Sequence, residues 1–291
     1  RSLLDKAGEG LSAVDKEAVK THDPAALGHV AGSLGEVARH GDELVRAAGS
    51  LRAALAAVRQ AELHKTGSLP LDSHRLEGLR GLIGDGELTL LQGMADLGVP
   101  LLLGVDPPKG AAYQGPYSSA QVNAGVLAHT ALTDAARGRS LLLTGDSEAA
   151  MREADVVLSR LAALPKKDPR GQPTGDYRSV TDLREVNRMI AEHAAKLRKQ
   201  VAIEAPPAVC PKIQQLVRSV VFNARRFPGV PLGGGKSDLS DAFKIIHLAL
   251  ADAPTTAWAL PTDGLHGLEG QLIVQVAMML AFGFDKAPGW F

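Results

Sequence analysis

Pro165-Lys-Lys-Asp-Pro-Arg-Gly-Gln-Pro-Thr-Gly-Asp-Tyr-Arg-Ser-Val-Thr-Asp-Leu-Arg-Glu-Val-Asn187 is the stretch on which the reading of this chain turns. Its middle, Asp168 to Gly175, is dense in Pro and Gly, the residues that reverse a chain. Tyr177 to Val180 has the aromatic and β-branched character of a strand. From Leu183 to Val201 a helical pattern takes over. The stretch therefore reads as a basic β-hairpin leading into a helix. Lys166 and Lys167 sit on one arm and Arg178 on the returning arm. Two arms of a hairpin can bring cations together, an arrangement that suits a triphosphate. Taken alone, such a hairpin is more often a surface feature.

Two further blocks follow. Lys236-Ser-Asp-Leu-Ser-Asp-Ala-Phe-Lys-Ile-Ile-His-Leu248 places an acidic residue at a strand end before a turn and an aromatic. That pattern can present a carboxylate to a divalent metal, although a lone Asp there is more often a helix cap. Leu280-Ala-Phe-Gly-Phe-Asp-Lys-Ala-Pro-Gly-Trp-Phe291 reads as a strand end, a tight Gly turn and a helix start.

In this order the three blocks resemble the reverse transcriptase family. The first is similar to the fingers hairpin and its following Asp-x-Arg-x-x-Asn element, here Asp182, Arg184 and Asn187. The second is similar to the first catalytic-aspartate motif, with Asp238, Ala242 and Phe243 in place. The third is similar to Phe-Gly-Leu-x-x-Ala-Pro-x-x-Phe, with Phe284 where Leu is usual. Upstream, Leu91 to Pro100, Asn123, Gly138-Arg139 and Leu158-Ser159 resemble the lead-in of DIRS-type retrotransposon enzymes. The resemblance spans residues 85–291. It implies an α+β fold: a helical N-terminal region, then fingers and a partial palm with an antiparallel sheet and flanking helices.

The same resemblance implies the chemistry. Asp238 and the backbone carbonyl of Leu239 would ligate Mg²⁺ or Mn²⁺ in a two-metal nucleotidyl transfer. Lys166 and Arg178 would hold the incoming deoxynucleoside triphosphate. Phe243, Phe282 and Gly283 would line its pocket. Lys167, Arg184, Asn187 and Pro288 would meet the RNA or DNA primer-template. The family's next element, an aromatic-x-Asp-Asp hairpin, does not occur in the sequence, which runs from Arg1 to Phe291. The chain thus reads as the front part of a polymerase, truncated before that motif and inactive by itself.

Outward from these blocks, residues 1–70 read as a helical N-terminal region, 71–164 as a helical lead-in and 165–291 as the truncated fingers and palm. Within the first, Leu34, Val37, Gly41, Leu44, Ala48, Leu51, Leu55 and Val58 recur in steps of three and four. Either self-association through 34–58 or a helical hairpin closing on its own domain would use that seam. A helical pattern from Glu148 is expected to end at Pro165, and another is expected from Pro211 to Ala224. Ile245 to Leu248, Thr256 to Leu260 and Gln271 to Val276 read as strands.

Bulk properties set the class. A hydrophobic fraction of 45% supports a core, and aromatics at 4% favour helices packed through small residues. One cysteine, Cys210, excludes an internal disulfide framework and a thiolate zinc site and fits an intracellular compartment. No apolar run is long enough to span a membrane; the longest, Leu272 to Phe284, is interrupted by Gln275. The neutral total hides an asymmetry, because Arg160 to Arg226 carries 14 Lys and Arg against 6 Asp and Glu. A basic block of this kind offers a surface to phosphates.

Two other readings fit parts of the sequence. Gly229 to Ser237 resembles a phosphate-binding Walker A loop, but that pattern has four residues between its first Gly and the Gly-Lys-Ser end, which puts Val230 at the first-Gly position, so the match fails. The other rival is a non-catalytic helical interaction protein that binds nucleic acid through the basic region. His129, His193 and His247 are too far apart for a metal-ligand pattern.

Overall fold

A computed structural model describes residues 2–12, 14–66, 72–101, 115–184, 186–188, 191, 213–229, 244 and 246–280. Over these the chain is mixed α+β, with one five-stranded sheet. Four helices come first: α1 (Leu3–Ser12), α2 (Lys16–Lys20), α3 (Pro24–Ala48) and α4 (Leu51–Thr66). Then follow α5 (Ser73–Leu76), α6 (Asp85–Leu97), α7 (Ser118–Val122) and α8 (Ala124–Ala136). Next are β1 (Ser140–Thr144), α9 (Glu148–Glu153), β2 (Leu158–Lys167), β3 (Pro173–Asp182), α10 (Ile213–Arg226), β4 (Ala257–Leu260) and β5 (Ile273–Ala277).

Local chemistry sets the long helix. Asp23 caps α3 by accepting the Ala26 amide at 2.9 Å, and Pro24 occupies the first turn, where its missing N–H costs nothing. Gly49 ends α3 in the left-handed conformation, φ +77°. The chain then turns directly into α4. The 34–58 seam therefore closes a helical hairpin within the chain. Leu34, Val37, Leu51, Leu55 and Val58 are all buried in the core, so these residues are not free for self-association.

The strand order is β1-β5-β4-β2-β3. All pairs are antiparallel except β2 with β4, so the sheet is mixed rather than wholly antiparallel. A side-chain hydrogen-bond network ties three strands together. Trp258 Nε1 donates to Gln275 Oε1 at 3.0 Å, and Gln275 Nε2 donates to Ser140 Oγ at 3.1 Å. Gln275 thus satisfies the buried indole N–H, which explains a polar residue inside an apolar strand.

Helices α3 and α8 pack against the sheet and each other. Small residues make this approach close. A Cβ on Gly41 would fall 1.9 Å from the Leu142 carbonyl oxygen, and one on Gly125 would fall 2.4 Å from Leu27 Cδ2. Beside Gly41, the buried Asp42 carboxylate accepts the Thr144 amide at 3.1 Å and the Ser147 hydroxyl at 2.5 Å. So α3 covers β1, a terminal strand of the sheet, and takes up one of its polar groups. One apolar core runs from Leu3 through the helices to Met278 on the sheet.

Two expectations fail here. The helical pattern from Glu148 to Leu164 gives only α9, and residues from Leu158 are strand β2. Buried Leu161 and Ala163 alternate with half-exposed Arg160 and Ala162, the period of a strand, but Ala and Leu are helix formers and hide it. Near Ile245 to Leu248, the described residues make isolated bridges, His247 with Met279 and Leu248 with Val99, rather than a strand.

Candidate nucleotide and nucleic-acid site

The β2–β3 hairpin is built as its turn chemistry requires. Asp168 closes the reversal by accepting the Arg170 and Gln172 amides, both at 2.8 Å, while Gly171 adopts φ +82°. Leu164 pairs with Arg178 and Lys167 with Pro173, with a register shift between Pro165 and Lys167. Lys166 and Lys167 on one arm and Arg178 on the other are exposed. Lys166 lies near enough to Asp176 to help lower its pKa.

The N-terminal region steadies the returning arm. Lys20 of α2 reaches Asp176 at 2.5 Å and Glu17 at 2.8 Å. The Lys20 bond holds the Asp176 carboxyl below its usual range, and Asp176 in turn raises Lys20. Asp176 is therefore already engaged, while Lys166, Lys167, Arg170 and Arg178 are exposed cations of the hairpin.

At the base of the hairpin the Asp182–Arg184 element forms a compact polar corner. Arg184 grips Asp182 with Nε at 2.8 Å and Nη2 at 2.6 Å, a bidentate fork. Tyr117 donates its hydroxyl to the same carboxylate at 2.5 Å, and Arg184 Nη2 donates to that hydroxyl at 3.1 Å. Arg184, then burial acting the other way, then Tyr117 govern Asp182, with the net effect that its carboxyl stays far below the ordinary range. Arg160 stacks on the Tyr117 ring, 3.7 Å from its centroid, and donates to the Gly115 carbonyl at 3.1 Å. Removing the hydroxyl with Tyr117→Phe should cost about 1 kcal/mol. A thermal melt is the check; an unchanged midpoint would show that this corner carries no stability.

Of the residues assigned from sequence, Lys166, Lys167, Arg178, Arg184 and Asn187 fall on this hairpin and the helical turn after it. Arg184 is engaged with Asp182, and Asn187 also has a partner. Asp238, Leu239, Phe243, Phe282, Gly283 and Pro288 lie outside the described residues. The second block is represented by Lys244, whose ammonium meets both Asp134 carboxylate oxygens at 2.8 Å, and by 246–248. Among the described residues, no three His, Cys, Asp or Glu side chains gather as a metal site. No family model matches the chain, and no curated protein sequence matches it. Among the described residues, no helix is long and apolar enough to cross a membrane.

Tyr117, Arg160 and Lys20 had no local sequence signal, because each acts across the fold on a residue far along the chain. The second feature missed is the surface of α10. Its described side chains are exposed apart from the half-buried Asn223, with Val217, Val220, Val221 and Phe222 among them.

Proposed function

We propose that this chain is the nucleotide- and template-binding part of a retroelement reverse transcriptase, whose complete protein performs template-directed nucleotidyl transfer by a two-metal mechanism. The observation that carries this reading is the β2–β3 hairpin, with cations on both arms and the Asp182–Arg184 corner at its base. It stands ahead of the Asp238 and Phe282-Gly283 motifs in the family's order. Arg178 offers a fork to phosphate oxygens, and Lys166 offers a point charge. The donors of the Asp238 carboxylate and Leu239 carbonyl do not by themselves fill a near-octahedral Mg²⁺ shell. Bond making therefore belongs to a chain that also carries the Asp-Asp pair, which is missing from these 291 residues.

Binding tests the proposal without catalysis. A fluorescent deoxynucleoside triphosphate is titrated into the full chain with primer-template and Mg²⁺, against the same nucleoside without phosphates. Lys166→Ala and Arg178→Ala should each weaken triphosphate binding by about tenfold, the scale of one charge-assisted contact. They should leave the nucleoside control unchanged. Equal affinity for all three proteins would overturn the reading. Nucleic-acid binding that ignores both Mg²⁺ and Asp238→Ala would favour the non-catalytic interaction protein.

A further inference from the structure

Helix α10 carries a pattern that the nucleotide site does not use. The helix and the turn after it contain no acid: Ile213 to Gly229 holds Arg218, Arg225 and Arg226 against no Asp or Glu. At 3.6 residues per turn, positions i−4, i+3 and i+4 crowd around a helical side chain. For Phe222 these positions are Arg218, Arg225 and Arg226, so the spacing puts the three arginines of the helix on the same side as this phenyl ring. That ring is 59% exposed. Phe227, just past the helix, is 49% exposed, and its amide is held by the Asn223 carbonyl at 2.9 Å. The Arg226 guanidinium lies 5.9 Å from the Phe222 centroid and 5.6 Å from that of Phe227.

An exposed ring within a cluster of cations is poorly suited to a protein core. The valines Val217, Val220 and Val221 form a separate apolar strip, and Phe222 points roughly opposite to Val220, two residues away on the helix. A helix lying on an anionic membrane would bury the valine strip and leave Phe222 in water. A single-stranded polynucleotide uses both parts of the ring-and-cation pattern: bases stack on the phenyl faces and phosphates meet the arginines.

We infer that the Phe222–Arg226–Phe227 end of α10 is a stacking site for unpaired bases of a single-stranded nucleic acid. It rests on the nucleic-acid reading above and adds a surface outside the hairpin. Stacking is sequence-tolerant, because every base has a π-face, so this site holds strand rather than sequence.

The test compares a labelled 15-nucleotide single strand with an abasic strand of equal phosphate number, both titrated into the full chain. Phe222→Ala should lower affinity for the base-bearing strand by about tenfold and leave the abasic strand unchanged. Arg226→Ala should weaken both and reduce the dependence on salt. Circular dichroism on each variant checks that the helix persists. If the wild type binds no strand, this site and the proposed function both fail. If it binds and Phe222→Ala changes nothing, or changes both strands equally, only the stacking site fails. Binding to vesicles of anionic lipid that is lost in Val217→Asp and unaffected by Phe222→Ala would also overturn it, in favour of a membrane surface.

Discussion

Gly41→Ala should lower the thermal midpoint by several degrees, while Gly32→Ala in the same helix should raise it. On an open helix surface, Ala is favoured over Gly by about 1 kcal/mol, because Gly loses more backbone freedom on folding. Gly32 is exposed, and a Cβ there meets nothing within 4 Å, so that gain is realised in full. At Gly41 the added methyl would sit 1.9 Å from the Leu142 carbonyl oxygen and 3.3 Å from Leu141 Cδ1. The first neighbour is backbone in a paired strand, so it has nowhere to go. Helix α3 must shift away from β1, and the Asp42 contacts with Thr144 and Ser147 shift with it. Overpacking of this kind costs about 1–3 kcal/mol or more, against a propensity gain of about 1. At about 2–4 °C per kcal/mol in a chain of this size, calorimetry resolves opposite signs for the two variants. A rise in both would show that α3 and β1 are not in contact as described.

Glu62→Gln should stabilise the protein by about 3 kcal/mol at pH 8 and leave it unchanged below about pH 4.5. Glu62 and His247 are both buried, with the carboxylate Oε2 3.5 Å from the imidazole Nε2. Arg59 and Arg139 face the pair, and Arg59 also donates to the Leu248 carbonyl at 2.5 Å. Burial pushes the Glu62 carboxyl up to about 7, despite the opposing pull of Arg139 and Arg59. Burial, aided by Arg59, pushes the His247 imidazole down to about 3.

The two shifts act in opposite directions. An acid whose folded pKa is raised adds stability that is complete below its unfolded value of 4.5 and is lost as pH rises through about 7. A histidine whose folded pKa is depressed adds stability that is complete above 6.5 and is lost as pH falls towards about 3. Between about pH 4.5 and 6.5 the contributions oppose, so this pair makes the wild type nearly flat there. Glu62→Gln removes the first and leaves the second, so the variant should lose stability across that window as pH falls. Urea unfolding from pH 4.5 to 8 measures the gap between the two proteins. A gap that does not change with pH would refute the buried-charge account.

How much of this was legible in the sequence varied by element, for physical reasons. The hairpin was readable because Asp168, Gly171 and the prolines have narrow conformational preferences and the flanking cations interrupt an otherwise apolar pattern. β4 and β5 were readable from Trp258, Ile273, Val274 and Val276. β1 was not, because Ser140-Leu-Leu-Leu-Thr144 is buried almost throughout and shows no alternation. In the sequence Gly41 is one member of the 34–58 seam, yet in the fold it lets α3 pass close against the Leu142 carbonyl of β1. Its role depends on a strand that lies far along the chain, and no local window contains that information. For the candidate site, the exposed cations Lys166, Lys167 and Arg178 were visible in sequence, whereas their supports Lys20, Tyr117 and Arg160 come from distant segments.

The order of the sheet also constrains how the protein is made. Among the described residues β1 pairs only with β5, through Ser140 with Ala277 and Thr144 with Ile273. Until β5 has left the ribosome, β1 and the face of α3 that covers it have no completed sheet to join. A nascent chain would carry an unfinished apolar surface throughout the synthesis of the segment between β1 and β5, a period in which such surfaces recruit chaperones or each other. The helices that precede β1 are thus synthesised before the strand that completes the sheet they cover.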